Sequence, residues 1–171
     1  EGRYGRTLFT TAEENTQVVV CGGRDGNNYL ASCLVLDKET GTWDGSRLGS
    51  LPQPRWLGTA VTLKNIGNYL IGGAASTNKW TTDYLAPGSQ DWVSGPQLPV
   101  DMGNGPCSVV ISETSFLVIG GSNIREYQVD IENPTSDDGW QEATRWPQLQ
   151  TPRYSWPGCA KIGMKIVIAG G

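Results

Sequence analysis

The stretch VVVCGGRDGNNYLASC, residues 18–33, runs from apolar residues through a glycine pair and a polar turn, and carries two cysteines. Taken alone it fits a phosphate-cradling glycine loop, a metal or redox cysteine pair, or one corner of a β-sheet. The rest of the chain separates these, because the step from apolar run to Gly-Gly recurs. It returns as YLIGG ending at Gly73, FLVIGG at Gly121 and IVIAGG at Gly171, at spacings of 50, 48 and 50 residues. A tryptophan follows each of the first three pairs: Trp43, Trp92 and Trp140 lie 20, 19 and 19 residues beyond the second glycine. A link, LPQPRW at 51–56, returns as LQTPRY at 149–154 and in worn form as LPVDMG at 98–103, and Arg3-Tyr4 reads as the tail of another copy. Self-similarity at a fixed period of this length is the mark of a repeat architecture.

Each unit parses into four short strands. The first is a small-and-apolar segment (58–63, 108–111), the second is the run ending in Gly-Gly, and the third alternates (32–37, 125–130). A turn then leads to a fourth around the tryptophan. Short strands separated by turn signals at this spacing predict antiparallel four-stranded sheets. With 23 Gly, 10 Pro and 7 Trp, the composition also favours turns and strands over helices, and the fold class read here is all-β. The Gly-Gly step lets the chain leave the second strand in a conformation that a Cβ resists. The tryptophan fills the gap between neighbouring sheets, and proline in the link presets φ between them.

The apolar-Gly-Gly run, the spaced tryptophan and the Pro-Arg link together resemble kelch repeats over essentially the whole chain. The resemblance implies a β-propeller of four-stranded antiparallel blades. About three and a half are present, at approximately 1–55, 56–104, 105–153, and the first half of a blade at 154–171. Propellers close with about four to eight blades. The expectation is therefore a partial propeller whose remaining blades lie in the same parent chain and cover the open edges.

Several function classes recede on composition. A net charge of −4 with no basic run argues against nucleic acid as a partner. The longest apolar runs fall well short of the roughly 20 residues of a membrane helix, so no membrane insertion is expected. The chain has no histidine, on which most zinc and copper sites and acid–base arrangements lean. No catalytic, cofactor-binding or metal residues are assigned. The loop GGRDGNN reads as a tight turn and not a phosphate cradle, because strand and not helix is expected from Leu30 onward. The acidic pairs Glu13-Glu14 and Asp137-Asp138 read as solvated turns. Kelch-like propellers include copper radical oxidases, which the resemblance keeps as a lesser alternative, although their histidine ligands are missing from these residues.

In the blade scheme Cys21 ends a second strand and Cys33 begins the third, antiparallel neighbours across which a bridge fits if the Cα atoms come within about 7 Å. Two buried thiols are the competing reading. The pattern CGG followed by Ser-Cys resembles secreted invertebrate kelch proteins, which implies the Cys21–Cys33 disulfide and an extracellular or secreted setting, with the cytoplasm as alternative. Cys107 and Cys159 fall in first strands of adjacent blades, where free thiols are favoured over a bridge.

Loops between second and third strands and the links emerge on one face. That face is expected to carry Arg24, Asp25, Asn27, Asn28, Tyr29, Lys79, Trp80, Asn123, Arg125 and Trp156 as partner-binding residues, since arginine beside aromatics is the composition of interaction hot spots. Arg55, Trp56, Arg153 and Tyr154 recur in the links and are read first as packing residues. The function expected is a non-enzymatic module binding a protein or glycan. An intracellular adaptor presenting substrates to a ubiquitin ligase is the alternative.

Overall fold

The computed structural model describes residues 5–11, 17–74 and 80–171. Sixteen strands and one short 3₁₀ turn at Asp137–Gly139 make up its regular structure. Blade 1 consists of β1 (Thr7–Thr10), β2 (Val18–Cys21), β5 (Cys33–Leu36) and β6 (Trp43–Asp44), in that order across the sheet. Between β2 and β5 the predicted turn is a separate ribbon, β3 (Arg24–Asp25) paired with β4 (Asn28–Tyr29). The third strand of this blade accordingly starts at Cys33, because the chain first completes the hairpin before entering the sheet. Blade 2 comprises β7 (Thr59–Leu63), β8 (Gly67–Ile71), β9 (Thr82–Leu85) and β10 (Val93–Ser94). Blade 3 comprises β11 (Cys107–Ser112), β12 (Ser115–Gly120), β13 (Asn123–Gln128) and β14 (Trp140–Glu142). The last sheet pairs only β15 (Gly158–Ile162) with β16 (Lys165–Ala169). All pairings in these sheets are antiparallel.

Inner strands β1, β7, β11 and β15 stand side by side, and the sheets stack face to face with an apolar seam at each junction. Phe9, Val19 and Val35 of blade 1 meet Leu70, Leu85 and Trp92 of blade 2. Tyr69, Ile71 and Tyr84 from the other face of blade 2 meet Phe116, Val118 and Tyr127 of blade 3. Leu117, Ile119 and Ile124 then face Ile166 and Ile168 of the last sheet. A second strand therefore lies between two seams. This is why β8 and β12 are buried along their whole length and read in sequence as continuous apolar runs instead of alternating ones.

The spaced tryptophans face backward, toward the preceding blade. Trp92 packs edge-on against Phe9 with ring centroids 5.8 Å apart, and Trp140 leans on Tyr127 and Phe116 in the seam between blades 2 and 3. Trp92 is 7% exposed, whereas Trp43 of the first blade is 45% exposed, as is Leu8 at 64% on the same sheet. The Gly-Gly step also has its steric reason in the structure. Gly22 has φ +69°, and a Cβ there would run into the carbonyl of Arg55 in the link.

Candidate functional site

The links and the β2–β3 corner are tied together by backbone hydrogen bonds. Gly23 N donates to Arg55 O at 2.8 Å, and Gly121 N to Arg153 O at 2.8 Å. Loop residues of one unit and link residues of the next therefore share one face, as the sequence implies. On it Arg24 donates to Asn27 Oδ1 at 3.0 Å within the β3–β4 ribbon. Its guanidinium lies 5.4 Å from the ring centre of Trp56 and 6.0 Å from that of Tyr29, and these two rings are 6.1 Å apart. The ribbon turns at Gly26 and Asn27, and Gly26 sits at φ +56°, the conformation that a two-residue hairpin turn asks of glycine. Asp25, Asn27 and Asn28 are exposed at its tip. A cation beside two aromatic rings, with exposed amide and carboxylate groups alongside, offers hydrogen bonds and stacking to a partner.

A second aromatic group stands on the last link. Tyr154 and Trp156 are each 60% exposed, and the Tyr154 hydroxyl lies 3.4 Å from Ser122 Oγ. Trp156 has φ +55°, a left-handed backbone that costs a residue with a Cβ about 1–2 kcal/mol. It occupies a place just before the first strand where Gly5 has φ +60°, Leu57 +61° and Gly105 +71°. Glycine at 105 makes the room: a Cβ there would overlap the Trp156 indole. Trp80, 39% exposed, lies two residues before the third strand of blade 2.

The remaining predicted residues are arranged otherwise. Asn123 is the first residue of β13 and its side chain donates to Asp101 O at 3.2 Å. Arg125 lies within β13, donates to Ile124 O and is 3.9 Å from Glu142, so it is held inside its blade and is not a loop residue. The third strand starts at Asn123, two residues before the expected 125, so Arg125 lies inside the strand and not at its entry. Lys79 falls outside the described residues, as do Asn78 and the Glu13-Glu14 pair. Arg55 is a packing residue, 2% exposed. It donates to Gly72 O and Thr81 O, to Thr81 Oγ1, and to Asp83 Oδ2 at 2.6 Å. Sequence reading found Arg55 but not Asp83, which is a strand residue with no distinguishing spacing.

Cys21 and Cys33 face each other across β2 and β5 with Cα atoms 4.1 Å apart and are joined. Cys107 and Cys159 are also joined, at a Cα separation of 5.8 Å, against the expectation of free thiols. The reason is register. Cys107 pairs with Ile119 and faces forward, while Cys159 pairs with Ile168, one position further along its strand, and faces back. No cysteine is left free, and among the described residues no cluster of acidic, cysteine or histidine side chains could hold a metal.

Residues 5–44, which span the strands of blade 1, match the family described as Kelch motif. No curated protein matches the chain.

Proposed function

We propose, from the match of residues 5–44 to the Kelch motif and the recurrence of the same sheet plan along the chain, that the chain is built of kelch repeats and is a non-enzymatic binding module whose contact surface is the face bearing the β3–β4 ribbon and the links. The observation that carries this reading is the Arg24, Tyr29 and Trp56 cluster: a cation and two rings, drawn from two successive repeats and half-buried beside the exposed Asp25, Asn27 and Asn28. The Tyr154 and Trp156 pair extends it with exposed rings, which suit either a protein hot spot or the apolar face of a sugar. Two bridged cysteine pairs support an oxidising, extracellular setting over the cytoplasm of an intracellular adaptor. The absence of histidine from all 171 residues leaves an oxidase reading without imidazole ligands here. We also propose that further blades of the same parent chain complete the ring, since Leu8 and Trp43 at one end are the counterparts of residues that are covered elsewhere.

The test is a screen of the protein against glycan arrays and extracellular protein libraries, with Arg24→Ala and Trp156→Ala variants run in parallel. The expected result is binding that falls at least tenfold in both variants while their melting temperatures stay within a few degrees of the parent. A ligand that binds both variants as tightly as the parent would place the contact surface elsewhere and overturn this reading.

A further inference from the structure

Arg47, Arg55, Arg125 and Arg145 are each paired with a carboxylate, those of Asp44, Asp83, Glu142 and Glu126 respectively. Arg24 has no such partner among the described residues, although the chain carries a net charge of −4. Its guanidinium makes one hydrogen bond there, from Nη2 to Asn27 Oδ1 at 3.0 Å. That bond takes the amide oxygen of Asn27 and leaves its Nδ2 group beside the guanidinium, so the pair offers only N–H donors outward. Arg24 Nε and Trp56 Nε1 are enclosed with no acceptor within reach among the described residues, which adds two unopposed N–H dipoles to the same corner. All of these groups lie between blades 1 and 2, whose sheets both have four strands.

The acidic neighbour stands apart. In the ribbon Arg24 is opposite Tyr29, and Asp25 is opposite Asn28. Successive side chains of a strand take opposite faces, so the Arg24 and Tyr29 side turns to Trp56 and the Asp25 and Asn28 side turns away from it. The corner is also poor in open apolar surface. Arg24, Tyr29 and Trp56 are half-buried, and the large exposed apolar side chains lie elsewhere. A protein partner docks on a desolvated apolar centre with aromatic anchors. Here a few directional donors surround two partly covered rings, which is the lining of a site for a small polar ligand.

We propose that this corner is a binding site for a carboxylate-bearing sugar, a uronic acid residue of a glycan. Its carboxylate accepts from the Arg24 guanidinium and Asn27 Nδ2, and the C–H face of its ring lies against Tyr29. This rests on the reading of this face as the contact surface, and it names the ligand. A carboxylate suits the corner by charge and by shape. It brings a single negative charge to a single cation without an acidic partner, and its planar pair of oxygens matches the fork of N–H groups on a guanidinium.

The probe is methyl β-glucuronide, titrated into the isotope-labelled protein and followed by backbone and side-chain N–H chemical shifts. The expected result is saturable shifts confined to residues 23–30 and 55–57, with Asn27 Nδ2 among them. The methyl ester of the same sugar, alike in shape but uncharged, binds at least tenfold more weakly. An Arg24→Gln protein no longer distinguishes acid from ester, while Tyr29→Ala weakens both severalfold. Equal affinity of acid and ester for the parent protein, no saturable shifts, or shifts centred outside this corner overturns the proposal. Because the decisive change is in the ligand, the result does not depend on a variant folding. A short aspartate peptide that binds the same residues as tightly as the glucuronide also overturns it, by showing that any carboxylate suffices, and leaves the contact-face reading standing. That reading fails separately, if a partner found by screening is unaffected by Arg24→Ala and Trp156→Ala.

Discussion

The seam between blades 2 and 3 and the seam between blade 3 and the last sheet are built on one plan but stabilised by different means. In the former, Tyr69, Tyr84, Phe116, Tyr127 and Trp140 form a continuous aromatic cluster. Tyrosine hydroxyls are satisfied at its edge: Tyr69 donates to Pro134 O at 2.9 Å and Tyr127 to Ser136 O at 2.6 Å. The inner strands add a hydroxyl pair, Thr59 Oγ1 and Ser108 Oγ, at 2.6 Å. In the latter seam, the aliphatic side chains of β12 and β13 meet only two strands, and β16 alternates between half-buried and exposed where β8 and β12 are buried throughout. At the place corresponding to Thr59–Ser108 stands the Cys107–Cys159 bridge. A covalent link and a hydrogen bond thus occupy the same place in successive seams.

The strongest way to break the first seam is to remove its centre. Phe116 is fully buried between Tyr69 and Tyr127. Phe116→Ala is expected to cost about 3–5 kcal/mol, read as a lowered midpoint of urea denaturation, while Ile166→Ala in the half-covered seam costs clearly less. Equal losses would mean that the two seams are equivalent. Next in size is the bridge. Replacing Cys107 and Cys159 together by serine removes a 52-residue cross-link, which chain-entropy reasoning places at about 2–4 kcal/mol. The loss should be local, seen as faster amide exchange in β15 and β16 with β7 to β9 unchanged. Uniformly faster exchange would show that the bridge supports the whole arc.

The comparison is sharpened by exchanging the devices. Thr59→Cys with Ser108→Cys puts two thiols at the position that Cys107 and Cys159 occupy one blade on. A third disulfide is expected, detected as a two-dalton mass deficit and by thiol titration, with a modest rise in melting temperature. The gain should be smaller than the loss on removing the native bridge, because this seam is already held by its core. Thiols that stay free would show that the inner strands of the two seams are not spaced alike.

How much of this is legible in the sequence follows from which features repeat. Gly22-Gly23 and its copies, three spaced tryptophans and the Pro-Arg links at 54–55 and 152–153 recur because successive units share one geometry, so the blade order could be written down from spacing alone. What is private to one unit could not. The Cys107–Cys159 pairing depends on a one-residue register offset between β11 and β15. The β3–β4 ribbon has no counterpart in blade 3, where only two residues separate β12 from β13. The Arg24–Trp56 contact joins residues of different repeats across a corner that only the folded chain forms. Asp83 is the clearest case, an acid in the middle of a buried strand, whose partner lies 28 residues away in a link.

The two link arginines give the finest contrast, through proton binding. Burial pushes the Asp83 carboxyl up to about 6 from its ordinary 3.8, against the pull of the Arg55 guanidinium in the other direction. Between those values the folded chain holds a proton at Asp83 that the unfolded chain releases. Stability contributed by this group is therefore full below about 4 and is lost as pH rises through about 6. Asp83→Asn cannot titrate, so the gap in unfolding free energy between parent and variant should widen from pH 7.5 to pH 4.5, measured by urea denaturation at each. Arg153 has no acidic partner among the described residues, and an Arg153→Met variant should hold a constant gap over the same range. If the Asp83→Asn gap narrowed on acidification instead, the pull of Arg55 would outweigh burial, and the carboxyl would be held below and not above its ordinary value.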